Sequence, residues 1–214
     1  APHVLLDSHE SAVLKRESLA KDGYLTDFDA QFEISNNPSV PAALRDFALN
    51  IFLPALTARV SDGGLPARRY IGEITSIQQP VTNGGLTLRN FRNAAAMTGV
   101  LSLLVETKLD SREAVHPTYR NIAQRVARQL LCLHSLLTLA HERRAEILAQ
   151  TALARAMLHQ EPLTLYAGYA RNQAQPLTSI PMRRLDTGEL EQRVFPDHRL
   201  QINADEIGFP SMLV

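Results

Sequence analysis

Short, wholly apolar runs in this chain alternate with longer stretches whose apolar residues recur every three or four positions. Val4–Leu6 is apolar and leads into Asp7, Ser8, His9 and Glu10, as in a buried strand that delivers polar groups at its C-terminal end. Val100–Val105 repeats the form, ending in Glu106. Between them, Ser39 as N-cap and Pro41 in the first turn predict a helix running to about Val60. Its apolar positions Leu44, Phe47, Ala48, Ile51 and Ala55 fall on one face, and Pro54 should kink it. Residues 11–37 read as loop with room for a short helix. Arg68–Ile77 reads as a strand, and Gln78–Gly85 as a loop. Leu86–Thr98 reads as a helix closed by Gly99.

From Thr118 to Gln160 the chain has neither Gly nor Pro, and Ile122, Val126, Leu130, Leu133, Leu137 and Ala140 mark one apolar face. Two helices, or one long bent one, are expected, with that face packed on the sheet in preference to a partner. After Pro162 the pattern shifts to alternation, with a hairpin signal at Asp186-Thr187-Gly188. The expected fold class is therefore α/β: part of a mixed, mostly parallel sheet flanked by helices over residues 1–160, with a small β appendage over 161–214.

Composition narrows this little. The 214 residues suit one domain with a small appendage, and 22 basic residues balance 22 acidic ones. That balance points to neither nucleic acid nor an anionic membrane surface as a partner. Cys132 is the single cysteine, so no disulfide scaffold is expected, and its apolar surroundings suit a buried thiol. No eighteen-residue apolar stretch and no secretory signal pattern occur, so no membrane span is expected. Cytoplasmic and exported compartments are not distinguished. Opening directly on an interior strand is unusual for a domain and reads as either a mature product or a fragment.

Three groups of residues carry candidate chemistry. Asp7 and His9 alternate onto one face of a strand, where a carboxylate can orient an imidazole as it does for metal-binding histidines. Glu106 emerges from a buried strand and must be solvated, paired or used. Arg89 and Arg92 precede it closely, and a guanidinium fork suits a substrate carboxylate.

The run from Arg92-Asn93 through Gly99 to Val105-Glu106-Thr107 resembles the stretch around the catalytic glutamate of zinc carboxypeptidases of the carboxypeptidase A type. Val4-Leu5-Leu6-Asp7-Ser8-His9-Glu10 is similar to the strand that delivers that family's third zinc ligand. The resemblance covers about residues 1–110 and implies zinc bound by two His and one Glu, with His9 as one ligand. It implies Glu106 as general base, and Arg92, Asn93, Arg89 and Tyr70 as contacts to a peptide or acyl-amino-acid substrate with a free carboxylate. Tyr70 stands in for a family tyrosine whose position here is Ala94.

The family's upstream His-x-x-Glu pair is missing: none of His3, His9, His116, His134, His141, His159 or His198 is followed by Glu three residues on. The resemblance therefore implies a metallocarboxypeptidase lacking its N-terminal half, which would be a partner of this chain. By itself the chain would be inactive and prone to associate. The alternatives are a non-catalytic module that keeps the sheet, and a helical interaction protein built on residues 118–160.

Overall fold

The computed structural model describes residues 2–11, 19–109, 121–158, 160 and 163–199, together with the backbone of 201–207. Strand β1 (Val4–Ser11) pairs in parallel with β5 (Leu101–Lys108). Strand β3 (Ala30–Ile34) pairs antiparallel with β5 on its other side and parallel with the short β4 (Ala67–Arg69). The sheet order is β1-β5-β3-β4, mixed and mostly parallel as the pattern implied. Leu101–Val105 is buried throughout because helices cover one face of β5 and polar loops the other, which is why the run reads as continuously apolar.

The helices stand on the face that carries Phe32, Ile34, Leu101, Leu103 and Val105. The expected first helix is present with its start moved. Helix α1 (Ala42–Phe47) begins after Pro41, which occupies the N-cap position. Ser39 does not cap it. Its hydroxyl instead accepts a hydrogen bond from the Thr164 backbone N–H at 2.8 Å. The expected kink is a widened π turn over Ala48–Phe52 that joins α1 to α2 (Leu53–Asp62). Pro54 has no N–H to give and its ring crowds the preceding turn, and the Leu53 N–H reaches back to Ala48 O in the wider π pattern.

Helix α3 (Phe91–Ala96) is shorter than the expected 86–98 and ends in a turn at Gly99, whose φ is +71°. Helices α4 (Ile122–Glu142) and α5 (Arg144–Met157) follow; the expected start at Thr118 lies outside the described residues.

Two expectations fail for identifiable reasons. The strand expected over Arg68–Ile77 stops after Arg69. Gly72 turns the chain in the left-handed region at φ +76°, and Gln31 Oε1 takes the Ile71 N–H that a sheet neighbour would have received. Residues 11–37, expected as loop with room for a short helix, contain a 3-10 turn over Leu19–Asp22 but also β3 and β2 (Tyr24–Thr26).

Beyond α5 lie β6 (Leu163–Ala170), β7 (Leu177–Arg184), β8 (Leu190–Pro196) and β9 (Gln201–Ile207). Strands β7 and β8 form the expected hairpin around Asp186–Gly188, and β6 pairs with β9. The segment expected as an appendage shares a sheet and a core with the earlier part of the chain. Strand β2 joins β7 and β8 in one sheet, and a second core packs Phe28, Ile71 and Val81 against Ile180, Met182 and Phe195.

Gly99 tests how tightly α5 sits on the sheet. A Cβ there would lie 2.6 Å from Arg155 Cγ and 3.1 Å from the Arg155 backbone nitrogen, and the left-handed φ adds strain. Gly99→Ala should cost more than the roughly 1–3 kcal/mol of a left-handed non-Gly residue. Gly64→Ala, also left-handed but with open space around it, supplies the conformational part alone. Equal melting-temperature losses for the two variants would show that α5 yields freely at this contact.

Candidate functional site

The register of three strands assembles the site. His9 and Glu106 are direct partners in the β1–β5 pair, and Gln31 is the partner of Glu106 on β3. Directly paired residues project to one side of a sheet, about 5 Å apart between neighbouring strands. The two residues the sequence singled out therefore share one face, at adjoining positions.

Around them the polar groups close in. His9 Nε2 lies 2.9 Å from Asp7 Oδ1, the alternation-driven contact expected from the sequence, which leaves Nδ1 as the ring nitrogen available to a ligand. The imidazole is 53% exposed and the Asp7 carboxylate 20%. Glu106 is half-buried and receives a hydrogen bond from the Ser11 side chain. Burial pushes its carboxyl above the usual glutamate range, and Asp7 adds to this. The charges of His9 and Arg92, with the Ser11 bond, pull the other way. A carboxylate raised in this manner is better matched to accept and return a proton near neutral pH.

Tyr70 belongs to the same group. Its phenol is pushed up to about 12, chiefly by burial and then by the negative charge of Glu106, so it stays protonated and can donate a hydrogen bond. Its backbone N–H is held by Phe32 O at 2.8 Å. The Tyr70 ring and the Arg92 guanidinium both press on Gly84, where a Cβ would come within 3.0 Å of Tyr70 Cε1 and 3.3 Å of Arg92 Nη2. The left-handed Gly84 thus lets the loop before α3 lie against both side chains.

The remaining expected substrate contacts divide. Arg92 is buried, donating from Nε to Ile34 O at 3.2 Å and from Nη2 to Asn83 O at 2.9 Å. Two of its donors clamp the chain, while its charge acts on Glu106 and Tyr70. Asn93, expected at the substrate, is fully buried and occupied by the protein itself. Its Oδ1 accepts from Ser35 Oγ and the Asn36 N–H, and its Nδ2 donates to Gly85 O and Thr87 O. It pins the loop that presents Arg92. Arg89 is exposed on the turn before α3 and is not among the charges acting on Glu106.

Beneath the site lies a polar network that the sequence did not reveal. Glu33 has no exposed surface, and its carboxylate is gripped by Arg69, Nε to Oε2 at 3.0 Å, and by the Ile34 N–H at 3.0 Å. Burial raises this carboxyl, and Arg69 opposes the rise. Oriented by its partners, the Asn83 amide meets Glu33 Oε2 at 3.3 Å and the Arg69 guanidinium at 2.5 Å. Tyr169 of β6 reaches in as well, donating to Gly84 O and accepting from Asn36 Nδ2, both at 2.7 Å. The alternation in Ala30–Ile34, with Gln31 and Glu33 polar between apolar neighbours, was the available signal for β3. Nothing local marked Tyr169.

Among the described residues no three His, Cys, Asp or Glu side chains are grouped to hold a metal ion. His9 has Asp7 bonded to its ring and Glu106 beside it, one imidazole between two carboxylates. Zinc sites in proteins use three or four side-chain ligands.

The raised Glu106 carboxyl has a stability consequence. The folded state holds this proton more tightly than the unfolded chain, so the contribution of the group is present in acid and is lost as pH rises above its ordinary value of 4.5. Glu106→Gln should therefore melt higher than the parent at pH 7, with the gap closing toward pH 4. A lower melting temperature at pH 7 would mean that the attractions of His9, Arg92 and Ser11 outweigh burial.

Compared with protein-family models, with curated proteins and with solved structures, the chain matches none, so the reading of the site rests on its own residues.

Proposed function

We propose that this chain carries the proton-transfer part of a zinc-dependent hydrolase of the metallocarboxypeptidase type, acting on an amide bond beside a free carboxylate. The observation that supports it is the direct pairing of His9 with Glu106, with Asp7 behind the imidazole and the carboxyl raised by burial. Glu106 is the base that takes a proton from water and returns it to the leaving amine. Tyr70 supplies a hydrogen-bond donor, and the buried Arg92 guanidinium adds a positive charge nearby, a field suited to an anionic substrate group. The substrate class is a peptide or an acyl-amino acid with a free carboxylate.

The zinc of such an enzyme would use His9 and needs further ligands from outside the described residues. The proposed source is an N-terminal half bearing a His-x-x-Glu pair. A second reading, a binding module that keeps the sheet without turnover, is favoured by one observation: the described donors around His9 are too few for a metal centre.

Two measurements separate these readings. This 214-residue chain, gel-filtered after incubation with stoichiometric zinc, should retain far less than one zinc per chain and hydrolyse no peptide. One zinc per chain that disappears in His9→Ala would show that the ligand set is complete here and that no second half is needed. In the polypeptide that joins this chain to a His-x-x-Glu segment, Glu106→Gln should keep the metal and lose at least about a hundredfold in kcat, the usual cost of a lost general base. Undiminished kcat in that variant removes Glu106 from the role, and absence of any hydrolysis in the parent favours the binding module.

A further inference from the structure

Helix α4 is amphipathic in an unusual sense, because its exposed face is the more apolar one. The side turned to the protein buries Arg128, Cys132, Ser135, Leu136 and Leu139. Arg128 there donates to Lys108 O at 3.0 Å and lies 3.8 Å from Asp29. The outward side carries Val126 at 51%, Leu130 at 58%, Leu133 at 42% and Leu137 at 60% exposure. These are four of the six residues expected to pack on the sheet, and the structure turns them away from it; Ile122 is exposed as well, and Ala140 alone packs on the core.

The outward residues Ala123, Val126, Leu130, Leu133 and Leu137 form a heptad seam that ends at the half-buried Ala140. These six positions recur at alternating spacings of three and four, the a and d positions of a left-handed coiled coil. The seam reads nearly the same in both directions: Ala123 mirrors Ala140, Val126 mirrors Leu137, and Leu130 mirrors Leu133 about a point between Leu131 and Cys132. Each mirrored pair joins an a position to a d position, which is how layers form when two copies of one helix run antiparallel. A two-fold axis through that point would stack the four leucines of two copies at the centre and leave alanines, which allow close approach, at both ends.

Charge and area agree. No Asp, Glu, Lys or Arg occupies an exposed position between Ile122 and Ala140. Arg125, beside the seam, is bound to Glu10 at 2.6 Å, so no like charges meet across such an axis. The face presents roughly 400 Å² of apolar surface, the size of a functional patch on a monomer and about half of the roughly 800 Å² each partner gives a standard interface, which suits a reversible dimer.

We propose that α4 is a self-association surface on which a second copy of this chain docks, the two helices antiparallel about a two-fold axis between Leu131 and Cys132. The inference is independent of the proposed hydrolase, since the seam lies on the far side of α4 from the sheet.

Sedimentation velocity of the 214-residue chain across the micromolar range should show a reversible dimer. Leu130→Glu combined with Leu137→Glu should make it monomeric with an unchanged circular dichroism spectrum, because both residues are exposed. Under mild oxidation, an equimolar mixture of Leu130→Cys and Leu133→Cys proteins should cross-link far faster than either alone. The proposal is overturned by a monomeric parent chain, by a dimer that survives the double glutamate variant, or by Leu130→Cys cross-linking fastest to itself. It is equally overturned if a longer polypeptide containing this chain is monomeric with Leu130 and Leu137 protected from solvent.

Discussion

The pairing of β5 on both edges is the constraint on which the rest depends. A strand whose five leading residues are all buried can satisfy its backbone only through neighbours on each side, and β1 and β3 supply them. Once those registers are set, Glu106 must lie between His9 and Gln31. The adjoining placement of His9 and Glu106 is thus a by-product of backbone hydrogen bonding. A slip of one residue in β1 would send His9 to the opposite face and separate it from Glu106.

The face that carries these groups is costly to build. Glu33 is wholly buried on it, and a carboxylate without contact with water requires a partner of opposite charge and further hydrogen bonds. Arg69, the Ile34 N–H and Asn83 meet that need. The loop around Asn83–Gly85 is then tied down by Arg92, Asn93, Asn36 and Tyr169. This rigidity holds Tyr70 and Arg92 beside Glu106 without either needing to move. The contribution of Tyr169 also explains why β6 belongs to the site structurally, although the sequence places it far from the other members.

The two sides of α4 illustrate a different balance. Packing a helix against a sheet edge normally buries its apolar stripe, yet here the inward side accommodates Arg128 and Ser135. Arg128 is tolerated because the Lys108 carbonyl and Asp29 meet it. With polar partners waiting on the inner side, the more hydrophobic stripe is left outward.

Much of the local structure was legible from pattern alone. Val100–Val105 read as a buried strand and is one, Val4–Leu6 read as another but forms a half-buried edge strand, the helices over 42–62 and 122–157 followed from their periodicity, and Asp7 and His9 were placed together by strand alternation. Those features depend on residues near one another in the chain. The rest was decided by contacts between distant segments. Arg68–Ile77 carries a strand-like pattern, but pairing is confined to Ala67–Arg69, since Gln31 takes the Ile71 N–H. Asn93 could face a ligand or the chain, and only the arrival of Ser35, Asn36, Gly85 and Thr87 around it committed its amide inward. Periodicity gave the apolar stripe of α4 without its direction, because a helix registers which residues share a side, and its neighbours decide where that side points.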